Sequence, residues 1–186
     1  LCLKELIFNN NKSVVKDIAQ REETINFVNK EISKYVPLIT SLNLPEKELK
    51  MVPQILIISS QLERIGDLID NTTQLELQRL EDRIVYSQYA MEELLNMFNY
   101  IYQNFSIIKE NLFSISLENF EVIRNNEKII DEYEDEMREH HIERLEKGIC
   151  STEAGVIYLD VISNLERMGD HIIKIANIVY QSKNMI

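Results

Sequence analysis

Two short segments of the chain place carboxylates and a glycine at the same spacing. Residues 62–67 read LERIGD and residues 165–170 read LERMGD, so five of the six positions are identical. Glu63 and Asp67 are four residues apart, and Glu166 and Asp170 repeat that pair. On a helix this spacing puts both carboxylates on one side. Apolar neighbours surround both pairs, so we expect two equivalent acidic surfaces at the edge of a helical core.

A further acidic series, Glu127, Asp131 and Asp135, lies upstream of the second segment at the spacing i, i+4, i+8. Two such stripes on facing helices could supply about four to six oxygen ligands, which suits Mg, Ca, Mn or iron better than a zinc–thiolate site. The predicted metal ligands are Glu63, Asp67, Glu127, Asp131, Glu166 and Asp170. A solvated acidic face paired with Arg64 and Arg167, or a helix-packing motif, are the alternatives that the residues leave open.

Gly66 and Gly169 lie inside the two acidic segments. A glycine costs about 1 kcal/mol relative to alanine in a helix interior. The same cost at the same place in both segments indicates that a second helix or a ligand approaches the backbone there.

The three histidines offer no catalytic arrangement. None of His140, His141 and His171 has a glutamate three residues before it, whereas di-iron bundle enzymes use Glu-x-x-His pairs. We expect His140 and His141 to be solvated near a helix end, and His171 to face either the acidic site or solvent. The sequence also has no nucleophile–base constellation, no phosphate-binding glycine loop and no redox dithiol. We therefore predict no enzymatic activity and no catalytic residue.

Charge and hydropathy restrict the partners. The net charge of −11 repels nucleic-acid phosphates and anionic lipid headgroups. No apolar run approaches the roughly 20 residues that span a bilayer, so no direct membrane insertion is expected. Cys2 and Cys150 stand far apart without CxxC spacing, which indicates reduced thiols.

The chain contains an internal repeat. The LERxGD segments are 103 positions apart, and an upstream block repeats at an offset of 105: Glu22, Ile25, Asn26, Glu31 and Ile32 align with Glu127, Ile130, Asp131, Glu136 and Met137. Proline, glycine and capping residues predict helices over 12–40, 46–81, 84–113, 117–147 and about 151–182. Pro45 fits the first turn of the second of these helices, and Pro53 should kink it or shift its start.

The predicted fold is all-α, with tandem antiparallel three-helix bundles. The first repeat covers residues 1–82 and the second covers 83–186. The counterpart of helix 84–113 would lie largely before residue 1, so the first helix is expected to be truncated by roughly 20 residues and the chain to be a fragment.

LERIGDLIDN (62–71) and LERMGDHIIKIAN (165–177) resemble the paired ERxGDxxxN signatures of PhoU proteins. The stretch 137–171 further resembles the C-terminal PhoU-like domain of bacterial sodium/phosphate cotransporters. The resemblance implies two three-helix bundles, regulation of phosphate transport or phosphate signalling, and, in some members, iron or other metals on the ExxxD motifs. It assigns the six carboxylates named above as metal ligands. Three residues depart from a uniform site: Asn26, Lys30 and Lys174.

Two functions follow from the resemblance. The leading hypothesis is a non-catalytic regulatory domain of a sodium/phosphate cotransporter, on the cytoplasmic face of the inner membrane. Its partner would be the transmembrane part of the same transporter or a phosphate-signalling protein, and a homo-oligomer stays open. The alternative is a free-standing PhoU-type regulator that acts on an ABC phosphate transporter and a sensor kinase.

Overall fold

Long helices separated by short turns make up the protein. The computed structural model describes residues 1–184, and within that range it contains helices and turns but no β-strand. The α-helices are α1 (Cys2–Asn9), α2 (Val15–Thr40), α3 (Glu46–Glu81), α4 (Gln88–Glu110), α5 (Leu117–Glu146) and α6 (Thr152–Asn184), and a short 3₁₀ turn (Lys12–Val14) precedes α2. The all-helical fold expected from the sequence is confirmed. α1, only eight residues long, stands where a truncated first helix was expected.

The helix ends follow local capping chemistry. α3 spans 46–81 as predicted, with Pro45 as the residue before its first turn. The helix continues through Pro53, so this proline does not shift its start. Gly148 has φ 66° just beyond the end of α5, the left-handed conformation expected of a helix-ending glycine. The Ser151 hydroxyl accepts a hydrogen bond from the Ala154 amide at the start of α6.

The predicted start of α4 was four residues too early. Arg83 adopts a positive φ of 56°, which takes the chain out of the helix. Ser87 then accepts a hydrogen bond from the amide of Ala90 and caps a helix that begins at Gln88. The predicted repeat boundary between residues 82 and 83 falls in this turn. The division into two repeats at that point stays a prediction.

α3 and α6 form the centre of the molecule and run antiparallel. Gln61 Oε1 lies 2.8 Å from His171 Nδ1, and the Ser182 hydroxyl donates to Gln54 Oε1 at 2.6 Å. α2 packs on α3, and α5 packs on α6. α4 covers α5 and α6, whereas the much shorter α1 packs on α2 and α3. Six helices in this order are consistent with two tandem helical bundles.

Burial differs between the two halves. α5 buries apolar residues along most of its length, from Phe120 to Met137, whereas Ile18 is the buried residue of α2. The largest buried side chains lie mainly in the second half and include Leu94, Met97, Ile123, Met137, Ile162 and Leu165. Burying such a side chain stabilises the fold by about 1.5–3 kcal/mol. No helix in residues 1–184 is both long and apolar enough to cross a membrane.

Candidate functional site

The two LERxGD segments occupy equivalent places on the central helices. A Cβ built on Gly66 would lie 3.6 Å from Ile25 Cδ1, and one built on Gly169 would lie 3.4 Å from Ile130 Cδ1. Ile25 and Ile130 are aligned by the repeat, as are the two glycines. A side chain of a second helix thus contacts each glycine, from α2 in the first half and from α5 in the second, but at distances that a Cβ would accept as ordinary contacts, so this packing does not by itself require glycine.

Carboxylates from α5 and α6 come together beside Gly169. Glu166 and Asp170 from α6 lie near Asp131 and Glu134 from α5, close enough for their charges to repel one another. Partial burial raises the pKa of Glu166 to about 7, and repulsion from Asp170, Glu134 and Asp131 adds to the increase. Glu166 therefore titrates near neutral pH, far above an ordinary glutamate.

Glu127 and Asp131 belong to the same cluster. Partial burial raises the pKa of both carboxyls, and the charge of Asp170 raises each further. We call Glu127, Asp131, Glu134, Glu166 and Asp170 the acidic cluster. Four of its members are among the six carboxylates predicted as metal ligands, and the structure places those four together.

Two basic side chains already lie against the acidic cluster. Lys174 Nζ is 2.9 Å from Asp170 Oδ2, one turn away on α6. Arg138 Nη2 is 2.6 Å from Glu134 Oε1 and also donates to the Ser163 hydroxyl. Arg64 and Arg167, expected as the partners of the acidic stripes, form no ion pair with any residue in 1–184. The direct ion pairs of the cluster therefore involve Lys174 and Arg138, whereas Arg167 acts on Glu166 only through its charge, which lowers the pKa of that carboxyl.

The first half does not reproduce the acidic cluster. Glu63 is half-buried and Asp67 is exposed on α3. On α2, the positions aligned with Asp131 and Asp135 hold Asn26 and Lys30, and the Asn26 amide donates to Glu22. The two motifs are thus alike in sequence and position but differ in the charge that the neighbouring helix brings.

The acidic cluster offers carboxylate oxygens, the donor type that hard cations take. Within residues 1–184, no three or more His, Cys, Asp or Glu side chains are already arranged to hold a metal ion. The oxygen donors and their mutual repulsion fit a divalent cation, whereas the Lys174 ammonium competes for Asp170. The assignment of the six carboxylates as metal ligands stays a prediction.

The prediction that His141 is solvated was wrong, and of the two orientations left open for His171 the structure excludes solvent. His141 is buried on α5, where its ring lies 5.6 Å from that of Tyr158 and its Nδ1 lies 3.8 Å from the Cys150 sulfur. His171 is buried between the central helices against Gln61. Burial lowers the pKa of both imidazoles. His140 is exposed as expected and contacts Glu93 at 2.8 Å.

A buried ionic network near the C-terminal end of α5 and the N-terminal end of α6 was not predicted. Glu93 on α4 accepts a hydrogen bond from the Tyr158 hydroxyl at 2.6 Å and pairs with Arg144 at 2.8 Å. Arg144 Nη2 is buried without a hydrogen-bond partner among the described residues. Burial and the adjacent carboxylate raise the pKa of the Tyr158 hydroxyl. Such groups come from distant parts of the chain, and their spacing in the sequence carries no signal.

A second network lies against the first. Glu76 on α3 is fully buried, accepts from the Tyr86 hydroxyl at 2.8 Å and pairs with Arg79 at 2.8 Å. Arg79 also donates to the Asn10 side chain at the turn after α1. Tyr86 and Tyr158 meet edge to face, with ring centroids 5.7 Å apart. The two networks tie the start of α4 to the two central helices.

Comparison with known proteins identifies a matching family and a shared fold. The sequence model of the PhoU domain matches residues 3–75 and 94–179. The phosphate-specific transport system accessory protein PhoU homolog 1 of Thermotoga maritima is 28% identical over 162 residues, covering 87% of this chain and 69% of that protein.

Two crystal structures share the fold. PhoU from Streptococcus pneumoniae, a phosphate transport system regulatory protein, superposes with a TM-score of 0.80 at 21% identity, over 100% of this chain and 86% of that one. PhoU from Pseudomonas aeruginosa superposes with a TM-score of 0.78 at 16% identity, over 100% of this chain and 88% of that one.

Proposed function

Because this chain belongs to the PhoU domain family, we propose that it is a non-catalytic regulator of phosphate transport that acts by binding other proteins. The observation that carries the proposal is the family match, which includes both LERxGD segments and covers most of each half of the chain. The Thermotoga relative, whose name describes an accessory protein of a phosphate-specific transport system, supports the same role.

Of the two settings, we favour a PhoU-type regulator that acts on an ABC phosphate transporter and a sensor kinase. The matched relative is named as an accessory protein of a phosphate-specific transport system, which supports this setting. The sodium/phosphate cotransporter setting is supported by the resemblance of residues 137–171 alone. In either setting we place the protein in the cytoplasm, beside the transporter that it regulates.

Phosphate uptake in cells tests the role. Deleting the gene should change the rate of radioactive phosphate uptake and the expression of a phosphate-starvation reporter, and the wild-type chain should restore both. Unchanged uptake and unchanged reporter expression in the deletion strain would contradict the proposal. Affinity purification from membranes separates the settings, because an ABC transporter subunit or a sensor kinase should copurify in the first, and a sodium/phosphate cotransporter in the second.

For the acidic cluster we propose a divalent-cation site, held by Glu127, Asp131, Glu166 and Asp170. A cation bound there would neutralise carboxylates that repel one another and would join α5 to α6. The raised pKa values of Glu127, Asp131 and Glu166 support this role. Titrating chelator-treated protein with Mn²⁺ tests it: binding should raise the melting temperature by mass action, and no uptake with no change in melting temperature would end the idea.

A further inference from the structure

Cys150 and His141 form a thiol–imidazole pair where α5 ends and the chain turns into α6. The Cys150 sulfur lies 3.8 Å from His141 Nδ1, a hydrogen-bond distance for sulfur. Cys150 is partly exposed, whereas His141 is only 4% exposed. Cys150 is therefore accessible to small molecules, while the imidazole behind it is held inside the protein.

The packing of His141 fixes which nitrogen meets the thiol. A Cβ built on Gly155 would overlap the Nε2 and Cε1 atoms, so that edge of the ring lies against the backbone of α6. Nδ1 is left on the side of Cys150. Burial lowers the pKa of the imidazole, and the positive charge of Arg144 lowers it further. The ring is therefore neutral at neutral pH and can accept a proton.

Arg144 brings an unused hydrogen-bond donor to the same place. The residue is 7% exposed; its Nη1 pairs with Glu93 at 2.8 Å, whereas its Nη2 is buried without a partner among residues 1–184. Its backbone carbonyl accepts a hydrogen bond from the amide of Ile149, the residue before Cys150, and its charge acts on His141. Since a buried donor without an acceptor is costly, Nη2 indicates an acceptor that the described residues do not supply.

Negative charge on the Cys150 side chain would supply such an acceptor. Cys150 directly precedes Ser151, which caps the N-terminus of α6 by accepting a hydrogen bond from the Ala154 amide. The N-terminal end of a helix carries a partial positive charge. This end of α6 and the Arg144 guanidinium therefore both stabilise negative charge that develops on the sulfur or on an oxygen bound to it.

The same groups disfavour a metal ion at this place. A soft metal ion takes thiolate and imidazole ligands, but the guanidinium of Arg144 would repel it. Within residues 1–184, no three His, Cys, Asp or Glu side chains are arranged to hold a metal ion. The pair suits an uncharged small molecule that accepts electrons from sulfur, because the positive surroundings do not repel such a molecule and stabilise the charge that forms.

We propose that Cys150 is a site of reversible oxidation by a small hydroperoxide, for which hydrogen peroxide is the probe. His141 Nδ1 takes the thiol proton and the sulfur attacks one peroxide oxygen, so that an S–O bond forms as the O–O bond breaks. Sulfur is oxidised to a sulfenic acid and the peroxide is reduced; the hydroxide that leaves recovers the proton from His141 and becomes water. Arg144 Nη2 donates to the negative charge that forms during the transfer. Two molecules of a small thiol such as glutathione reduce the sulfenic acid back to the Cys150 thiol, forming a disulfide and water.

Trapping with dimedone, followed by mass spectrometry of the purified and reduced chain, measures sulfenic acid formation at each thiol. Cys2 is the matched control, because it is also partly exposed and stands at the N-terminal end of a helix, α1. In Cys2→Ser, Cys150 should react with hydrogen peroxide at least about tenfold faster than Cys2 reacts in Cys150→Ser. Equal rates, or a faster Cys2, overturn the proposal.

Variants in the Cys2→Ser background assign the rate to the neighbours of the thiol. His141→Asn keeps a polar side chain that does not take up the proton, and Arg144→Met removes the donor; each should slow the reaction at least about tenfold. Tyr158→Phe removes a hydrogen bond to Glu93 but leaves both groups in place, and should keep the rate within about twofold. Melting temperatures show whether each variant folds, and if Arg144→Met does not, His141→Asn decides. An unchanged rate in His141→Asn, or an equal loss in Tyr158→Phe, refutes the role of the imidazole and with it the proposal.

Reversal is measured in samples without dimedone. Glutathione, added after about one equivalent of hydrogen peroxide, should return the chain to its reduced mass. A product that glutathione does not reduce has passed beyond sulfenic acid and contradicts reversible oxidation.

Discussion

Replacing Gly155 by alanine should destabilise the fold, whereas the same replacement at Gly66 should not. A Cβ on Gly155 would lie 2.3 Å from His141 Nε2 and 2.6 Å from its Cε1, well inside van der Waals contact. The imidazole cannot simply move away, since it is buried between Tyr158 and Cys150. At Gly66 the nearest atom, Ile25 Cδ1, is 3.6 Å away, which is an ordinary contact.

The two substitutions should therefore change stability in opposite directions. Overpacking a core position costs about 1–3 kcal/mol. Replacing glycine by alanine in a helix returns up to about 1 kcal/mol. We expect Gly155→Ala to lower the free energy of unfolding by about 1–2 kcal/mol and Gly66→Ala to raise it by up to about 1 kcal/mol. For a chain of this size, 1 kcal/mol corresponds to about 2–4 °C in melting temperature.

Urea unfolding, monitored by far-UV circular dichroism, measures both changes in the free energy of unfolding. The measurement is made at about pH 8, where His141 is neutral. A double variant isolates the clash: in a His141→Ala background, Gly155→Ala should no longer destabilise, because the atoms that it meets are gone. The reasoning is refuted if Gly155→Ala unfolds at the same urea concentration as wild type, or if its cost persists without His141.

Three further predictions concern the charged groups. Glu166 should contribute stability that is lost as pH rises from about 4.5 to about 7, because the folded state holds its proton more tightly than the unfolded chain does. The lowered pKa values of His141 and His171 give the opposite slope, so the test is the difference between two proteins: in urea titrations at a series of pH values, wild type should lose stability relative to Glu166→Gln as pH rises. Lys174→Asn frees Asp170 and should strengthen Mn²⁺ binding roughly two- to fivefold by calorimetry. Glu93→Ala leaves Arg144 buried without its partner and should cost about 3–5 kcal/mol in urea unfolding, against about 1 kcal/mol for Tyr158→Phe.

Each of these has a clear contrary result. A stability difference between wild type and Glu166→Gln that stays constant over the same pH interval would show that the folded state does not hold the Glu166 proton more tightly. Weaker Mn²⁺ binding by Lys174→Asn, with wild-type binding measured in parallel, would mean that the ammonium supports the cation site. Equal stability losses for Glu93→Ala and Tyr158→Phe would show that the Arg144 charge is solvated in the folded protein.

The helices and the repeat were predictable because the signals for them are local. The bounds of α3, the glycine that follows α5 and the serine that caps α6 depend on residues within one or two turns. Apolar periodicity and the repeated LERxGD segments likewise need only the order of residues along the chain. The start of α4 was missed because Arg83 adopts a left-handed conformation that its residue type does not signal.

The acidic cluster was predictable in part. Sequence spacing placed Glu166 and Asp170 on one side of α6, and the alignment of α2 with α5 indicated which helix faces them. The raised pKa of Glu166 depends on burial and on carboxylates from α5, some 30 residues away in the chain. Sequence spacing contains neither quantity.

Taken alone, the sequence determined the helical class, the duplicated unit, the acidic motif and the family resemblance, because each depends on residue type and on spacing along one helix. The tertiary structure decided which polar residues are buried, as with His141 and Glu93, and which of two similar motifs gathers charge. The physical reason is that burial, ion pairing and electrostatic repulsion are set by distances between helices, which residues far apart in the chain establish together.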